Sequence, residues 1–182
     1  MKTLLEIAPA WLAIADAHRD ADQPGATLRA LDEALEALVG RTLLTVLTVF
    51  PDDGIVQRTY SNLSERYPVG GFKRIDHAPR LREILETGQV FIARTRDDIV
   101  ANYADADTIF ETGCSSVLNL PVFWRERIVA TVNLLHTEGF YEPRHVPVVR
   151  SLAQAALPAF LERLPGQRQA LAQKTEQEYP HV

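Results

Sequence analysis

The sequence predicts an α+β fold: a central antiparallel sheet with terminal helices on one face, and short helices and loops on the other. Three observations lead there. Two pairs of apolar, β-branched runs, 42–50 with 55–61 and 114–124 with 127–136, are each joined by a tight turn and read as hairpins. Amphipathic stripes at helical spacing precede the first hairpin and follow the second. Between the hairpins, residues 62–112 carry only short elements. Helices segregated around antiparallel hairpins favour a layered sandwich.

Leu4, Ala8, Trp11, Leu12 and Ala15 share one helical stripe. Pro9 is tolerable only near a helix start, so this helix is expected to begin at about residue 8. Asp22-Gln23-Pro24-Gly25 breaks the chain, and Leu28, Leu31, Leu35 and Leu38 then mark a second helix over 26–39, stopped by Gly40. The run RTLLTVLTVF, 41–50, is apolar on both faces, as for a central strand. Pro51-Asp52-Asp53-Gly54 turns it back into 55–61. Residues 62–77 read as loop, 79–87 as a short helix stopped by Gly88, 90–94 as a short strand, and 97–112 as one or two short helices. The second hairpin turns at Arg125-Glu126. Pro143 opens a last helix to about Leu164, with a kink expected at Pro158. The organisation is therefore an N-terminal helix in 1–22, a main domain over 23–165 and a polar tail over 166–182.

Composition excludes several function classes. The 182 residues suit one domain. Lys and Arg number 19 against 24 Asp and Glu, a net charge of −5, and no basic cluster is long enough to neutralise phosphates. Nucleic-acid binding and polybasic membrane attachment are not expected. Glu6 and Pro9 interrupt what would be a signal-peptide core, and no run approaches the ~18 apolar residues of a membrane span. A lone cysteine, Cys114, makes neither an intramolecular disulfide nor a structural zinc site. It suits a reducing, cytoplasmic location.

The run CSSVLNLPVFWRERIVATVNLLH, 114–136, resembles the penultimate hairpin of GAF domains: a strand, a leucine-proline, a short charged turn, and a strand carrying a small residue, here Ala130. GQVFIAR at 88–94 is similar to that family's short strand, and FYEPRH at 140–145 to the entry of its last helix. The resemblance spans about residues 26–164. It implies a small-molecule pocket between the sheet and the 94–112 segment, opposite the terminal helices, without naming a ligand. It also implies what is absent. Where the free methionine-(R)-sulfoxide reductases of this family place their catalytic cysteine, this chain has Phe110. The cysteine-histidine pair of bilin-binding members and the NKFDE constellation of cyclic-nucleotide members are missing too.

Within that frame six residues are candidate ligand contacts: Tyr60, Tyr103, Asp107, Phe110, Asn119 and Asn133. The two asparagines sit in apolar runs on neighbouring strands. A buried amide costs roughly 1–3 kcal/mol if unpaired, so they bond each other or orient a ligand. Tyr103, Asp107 and Phe110 would share one face of a helix covering the pocket. Tyr60 and Tyr67 could stack on a planar ligand. An inward acidic group would favour an amine, whereas Arg94, Arg96, Lys73 and Arg74 are equally available to a carboxylate, so the sign of the ligand stays open. Cys114 follows a helix C-terminus and reads as structural. His136 is the histidine on a core strand; His77 and His145 fall in loop or helix-start sequence. No metal or cofactor is expected. The function read from the sequence is a stand-alone metabolite sensor, dimeric through its terminal helices; the alternative is a small-metabolite hydrolase or isomerase using the same pocket.

Overall fold

In the computed structural model, which describes residues 4–162, β1 (Leu43–Phe50) lies at the centre of an antiparallel sheet. It pairs on one side with β2 (Ile55–Ser61) and on the other with β6 (Arg127–His136). Beyond them lie β3 (Phe72–Arg74), β5 (Ser116–Trp124) and β4 (Phe91–Ala93), giving the order β3-β2-β1-β6-β5-β4 among the described residues. Strand β3 falls inside the stretch read as loop. Three residues after Gly70 and Gly71 are too few to show alternation, and pairing with β2 is what makes them a strand.

Alternation splits the sheet into two unlike faces. Leu44 and Val46 of β1, Leu118, Leu120 and Val122 of β5, and Ala130, Val132 and Leu134 of β6 are buried together on one face. Helices α1 (Leu4–Ala17), α2 (Gly25–Leu38), α6 (Val146–Ala155) and α7 (Leu157–Leu161) cover it through Ile14, Leu28, Leu31, Leu35, Val149, Leu152 and Phe160. Both terminal helical segments therefore pack on the same face, as expected. The last helix is not continuous: it breaks at Ala156, and Pro158 then sits in the first turn of α7, where its missing N–H costs no helical bond. Residues 163 and 164, and the tail 166–182, lie outside the described residues.

Helix α1 departs from the sequence reading twice. It runs through Pro9 from Leu4. Proline leaves the Leu5 carbonyl without a helical donor, on a residue 87% exposed. The face turned to the core is Ile7, Ala10 and Ile14, not the stripe of Leu4, Trp11 and Leu12, which stays largely exposed. The helix is apolar on both sides, so periodicity alone could not choose between them.

A buried polar cluster ties the layers together. Arg41 Nε donates to Asp32 on α2 at 2.6 Å, and Tyr60 Oη donates to the other Asp32 oxygen at 2.7 Å. At the chain's turn from α2 into β1, Gly40 has φ +94° and a Cβ there would stand 2.8 Å from the Phe140 ring, so only glycine fits. The β5–β6 turn has Arg125 and Glu126 both at positive φ, 48° and 62°, the two-residue geometry that matches strand twist.

Candidate ligand-binding cavity

The other face of the sheet is built from the intervening residues, and several are polar. Leu43, Thr45 and Leu47 of β1, Val56 and Arg58 of β2, Val117 and Asn119 of β5, and Asn133 and Leu135 of β6 floor a cavity of about 410 Å³. That volume is within the usual range for small-molecule sites. Among the described residues no long helix closes this face. Its cover is Tyr67 from the loop after β2, Leu81 and Ile84 of α3 (Pro79–Thr87), Tyr103 and Asp105, and Ile109 of α5 (Ala106–Glu111), with Gly71, Phe72 and Lys73 at the β3 edge.

The β5–β6 register places Asn119 directly opposite Asn133. Asn119 Nδ2 donates to Asn133 Oδ1 at 2.8 Å, and Tyr103 Oη donates to Asn119 Oδ1. Asn133 Nδ2 in turn reaches the Thr45 carbonyl at 3.3 Å and the Thr131 carbonyl at 3.4 Å. Both amides are 7% exposed. They bond each other and also line the cavity. An amide nitrogen has two hydrogens, and one on Asn119 is left over by this chain of bonds. Burial pushes the Tyr103 phenol well above its ordinary value, which keeps it a neutral donor.

Tyr60, Asp107 and Phe110 do not line the cavity. Between Val46↔Tyr60 and Leu47↔Arg58, β2 carries one extra residue, Thr59. That bulge reverses the alternation, turning Tyr60 to the helical face and leaving Arg58 on the cavity face. The lid is not one helix either. Helix α4 (Arg96–Asn102) ends at Tyr103, whose backbone is extended, before α5 begins at Ala106. The break separates Tyr103 from Asp107 and Phe110: Tyr103 and Asp105 meet the cavity, Asp107 is exposed, and the Phe110 ring lies 3.6 Å under the Arg96 guanidinium.

Arg58, Tyr67, Lys73 and Asp105 complete the charged and phenolic lining. The sequence reading missed Arg58; it set Asp105 beside Asp107 and Glu111 on the covering segment and chose Asp107 as the charged contact, and Tyr67 appeared only as a possible stacking ring. Val56 and Arg58 alternate with Gln57, so a cavity-facing Arg58 was detectable from strand period alone. Arg58 Nη1 donates to the Pro68 carbonyl at 3.1 Å and its guanidinium lies 5.1 Å from the Tyr67 ring centre. Arg58 Nε and Tyr67 Oη are shut off from solvent and have no hydrogen-bond partner among the described residues. Desolvation draws the Arg58 guanidinium below its ordinary value and pushes the Tyr67 phenol up to about 12.

Cys114 is 1% exposed in the cluster beneath α4 and α5, with its thiol 3.9 Å from the Thr112 carbonyl. Burial pushes its thiol upward, away from the nucleophilic thiolate. His136 stacks on Phe140 at 3.6 Å and His145 lies 5.8 Å from the same ring, both away from the cavity. Among the described residues no cluster of three or more His, Cys, Asp or Glu side chains is arranged to hold a metal ion. No helix among them is long and apolar enough to cross a membrane.

No family model and no curated protein matches the sequence. Solved structures do match in shape. The GAF domain of a phosphoenolpyruvate-protein phosphotransferase from Coxiella burnetii superposes with a TM-score of 0.67 at 9% identity, covering 96% of this chain and 99% of that one. The corresponding Acinetobacter domain gives 0.66 at 8% identity, over 95% and 99%. The chain has the GAF-domain fold. A phycocyanobilin-bound GAF domain from a cyanobacterial phytochrome matches with a TM-score of 0.63 at 16% identity, over 98% and 100% of the two chains. At these identities the likeness carries the GAF architecture and not a ligand.

Proposed function

We propose that this chain is a small-molecule sensor whose ligand sits in the 410 Å³ cavity between the sheet and the 62–112 cover. The observation that carries the reading is the polar cavity floor. Thr45, Asn119 and Asn133 take positions that apolar side chains would otherwise fill, and the residues next to them on the helical face, Leu44, Val46, Leu118, Leu120, Val132 and Leu134, are apolar. Convergent amides in an apolar cavity are what orient a small ligand. The bilin held by the phytochrome GAF domain supports use of this fold for binding. In this reading residues 23–165 form the binding unit, Tyr103, Asn119 and Asn133 contact the ligand, and the buried thiol suits a reducing cytoplasm.

The exposed stripe of α1, with Leu4, Leu5, Trp11 and Leu12, is proposed as the surface by which a second copy docks. An output from ligand to partner would then run through the helical layer. Native mass spectrometry of purified protein tests the first claim: a co-purified small molecule, lost in Asn119→Leu, supports it, and no bound species at any metabolite concentration sinks it. Sedimentation of Leu5→Glu tests the second; a dimer that persists in the variant overturns it.

A further inference from the structure

We infer that the ligand is a small organic monocarboxylate, its carboxylate held by Arg58 and Lys73 at the β2–β3 edge and its body laid over Asn119 and Asn133. This rests on the cavity reading above and adds the sign and class of the ligand.

Arg58 carries the argument. It is a cavity-lining guanidinium with no carboxylate in ion-pair contact among the described residues, and its Nε is enclosed without a partner. A guanidinium withdrawn from water gains most from a planar, bidentate anion. Lys73 lines the same cavity from the neighbouring strand: Val56 pairs with Lys73, and the Arg58 N–H donates to the Gly71 carbonyl, so both cations stand at one edge. Beneath the guanidinium, Tyr67 Oη is a further donor with no acceptor.

The competing cations are committed elsewhere. Arg94 pairs with Glu142 at 3.2 Å, Arg74 with Asp76 at 2.6 Å, and Arg96 lies over Phe110. The lining is thus rich in donors and needs an acceptor-rich ligand. Asp105 is the one carboxylate in that lining among the described residues. Two cationic side chains against one acidic one match a singly charged anion; a doubly charged phosphate ester would bring a second negative charge into a partly desolvated site.

A matched set of probes with one ring and four head groups tests this: benzoate, benzamide, benzylamine and phenyl phosphate. Binding is followed by ¹⁵N-resolved NMR of the intact chain, including the Arg58 Nε–H signal, assigned by its loss in Arg58→Gln. Benzoate is expected to shift that signal and those of Asn119 and Asn133, with benzamide and benzylamine weaker by about tenfold or more. Arg58→Gln removes the preference for benzoate over benzamide. Lys73→Gln, at an exposed side chain, weakens benzoate by about threefold. Equal binding of the four probes in the cavity overturns the carboxylate assignment while keeping the cavity as a binding site. Tightest binding of benzylamine reverses the sign and makes Asp105 the anchor, and tightest binding of phenyl phosphate overturns the single charge. If no probe disturbs cavity resonances at concentrations up to about 10 mM, the carboxylate assignment falls, and the cavity reading is decided separately by the species that co-purifies with the chain.

Discussion

The two faces of the sheet use the same strands and do opposite things. On the helical face, Leu44, Val46, Leu118, Leu120, Val132 and Leu134 meet α1, α2, α6 and α7 in a continuous apolar core. One residue along each strand, Thr45, Asn119 and Asn133 look into a cavity under an irregular cover. The first face gains stability from burial and shape, at about 25 cal/mol per Å² of apolar surface. The second forgoes that gain and keeps enclosed polar groups, several with unused hydrogen-bonding capacity. Stability and recognition are thereby separated by the pleat of a strand. A substitution's consequence depends on which way its side chain faces.

Neighbouring residues of β6 should show this most sharply. Leu134→Ala removes a fully buried side chain from the helical face and should cost about 2–5 kcal/mol in urea unfolding. Ligand affinity of the folded fraction should not change. Asn133→Leu, on the opposite face, should abolish specific binding. Its stability cost should be smaller, about 1–3 kcal/mol, because Asn119 Nδ2 loses its acceptor. Asn119→Leu should behave alike. The double variant should cost less than the two singles added, because replacing both partners leaves neither amide orphaned. Strict additivity would show that the pair does not act as a unit.

What could be read from the sequence follows the same division. The hairpins, the central place of β1 and the shared helical face were legible because period and turn chemistry are local signals. The two-residue turn placed Asn119 and Asn133 level only to within one residue: the turn alone would set Asn119 opposite Val132, and a register shift between Val122 and Phe123 moves it opposite Asn133. The bulge at Thr59 was not legible: nothing in Gln57-Arg58-Thr59-Tyr60 distinguishes a bulged strand from a regular one, so Tyr60 was expected in the pocket. Residues 97–112 were read as one or two short helices, but where the chain breaks after α4 was equally hidden. A run that satisfies helical spacing from Tyr103 to Phe110 gives no sign that the chain extends at Tyr103, which exchanges Asp107 for Asp105 at the cavity. Small phase errors leave the fold assignment intact and redraw the site.

Cys114 tests the border between the faces. It is enclosed in the cluster under the lid without lining the cavity, and burial holds its thiol above its ordinary value. Cys114→Ser should therefore change ligand affinity by less than about tenfold, or 1.4 kcal/mol. Its reaction with a thiol reagent should be slow at neutral pH and accelerate in denaturant. Complete loss of binding or activity in a folded variant would restore a chemical role to the thiol.

The smallest effect is expected at Tyr60, the residue that the bulge moves from one face to the other. Tyr60→Phe removes the 2.7 Å bond to Asp32 but leaves Arg41 on that carboxylate, so it should cost only about 1 kcal/mol. Affinity for any cavity ligand should stay unchanged. Its pH dependence identifies the cause. Burial first, and then the bond to Asp32, push the Tyr60 phenol above its unfolded value of about 10. A raised value means that the stabilisation is complete below that pH and is lost as pH rises above it, because the unfolded phenol ionises while the folded one resists. Tyr67, Tyr103 and Tyr141 are shifted the same way, so the parent and the variant should both weaken in alkali. Urea midpoints measured between pH about 9 and about 11 should fall less steeply in Tyr60→Phe, by the share of one phenol. If the two slopes coincide, the Tyr60–Asp32 bond is not what holds α2 to the sheet; if ligand affinity drops in Tyr60→Phe, the bulge does not turn this side chain away from the cavity in solution.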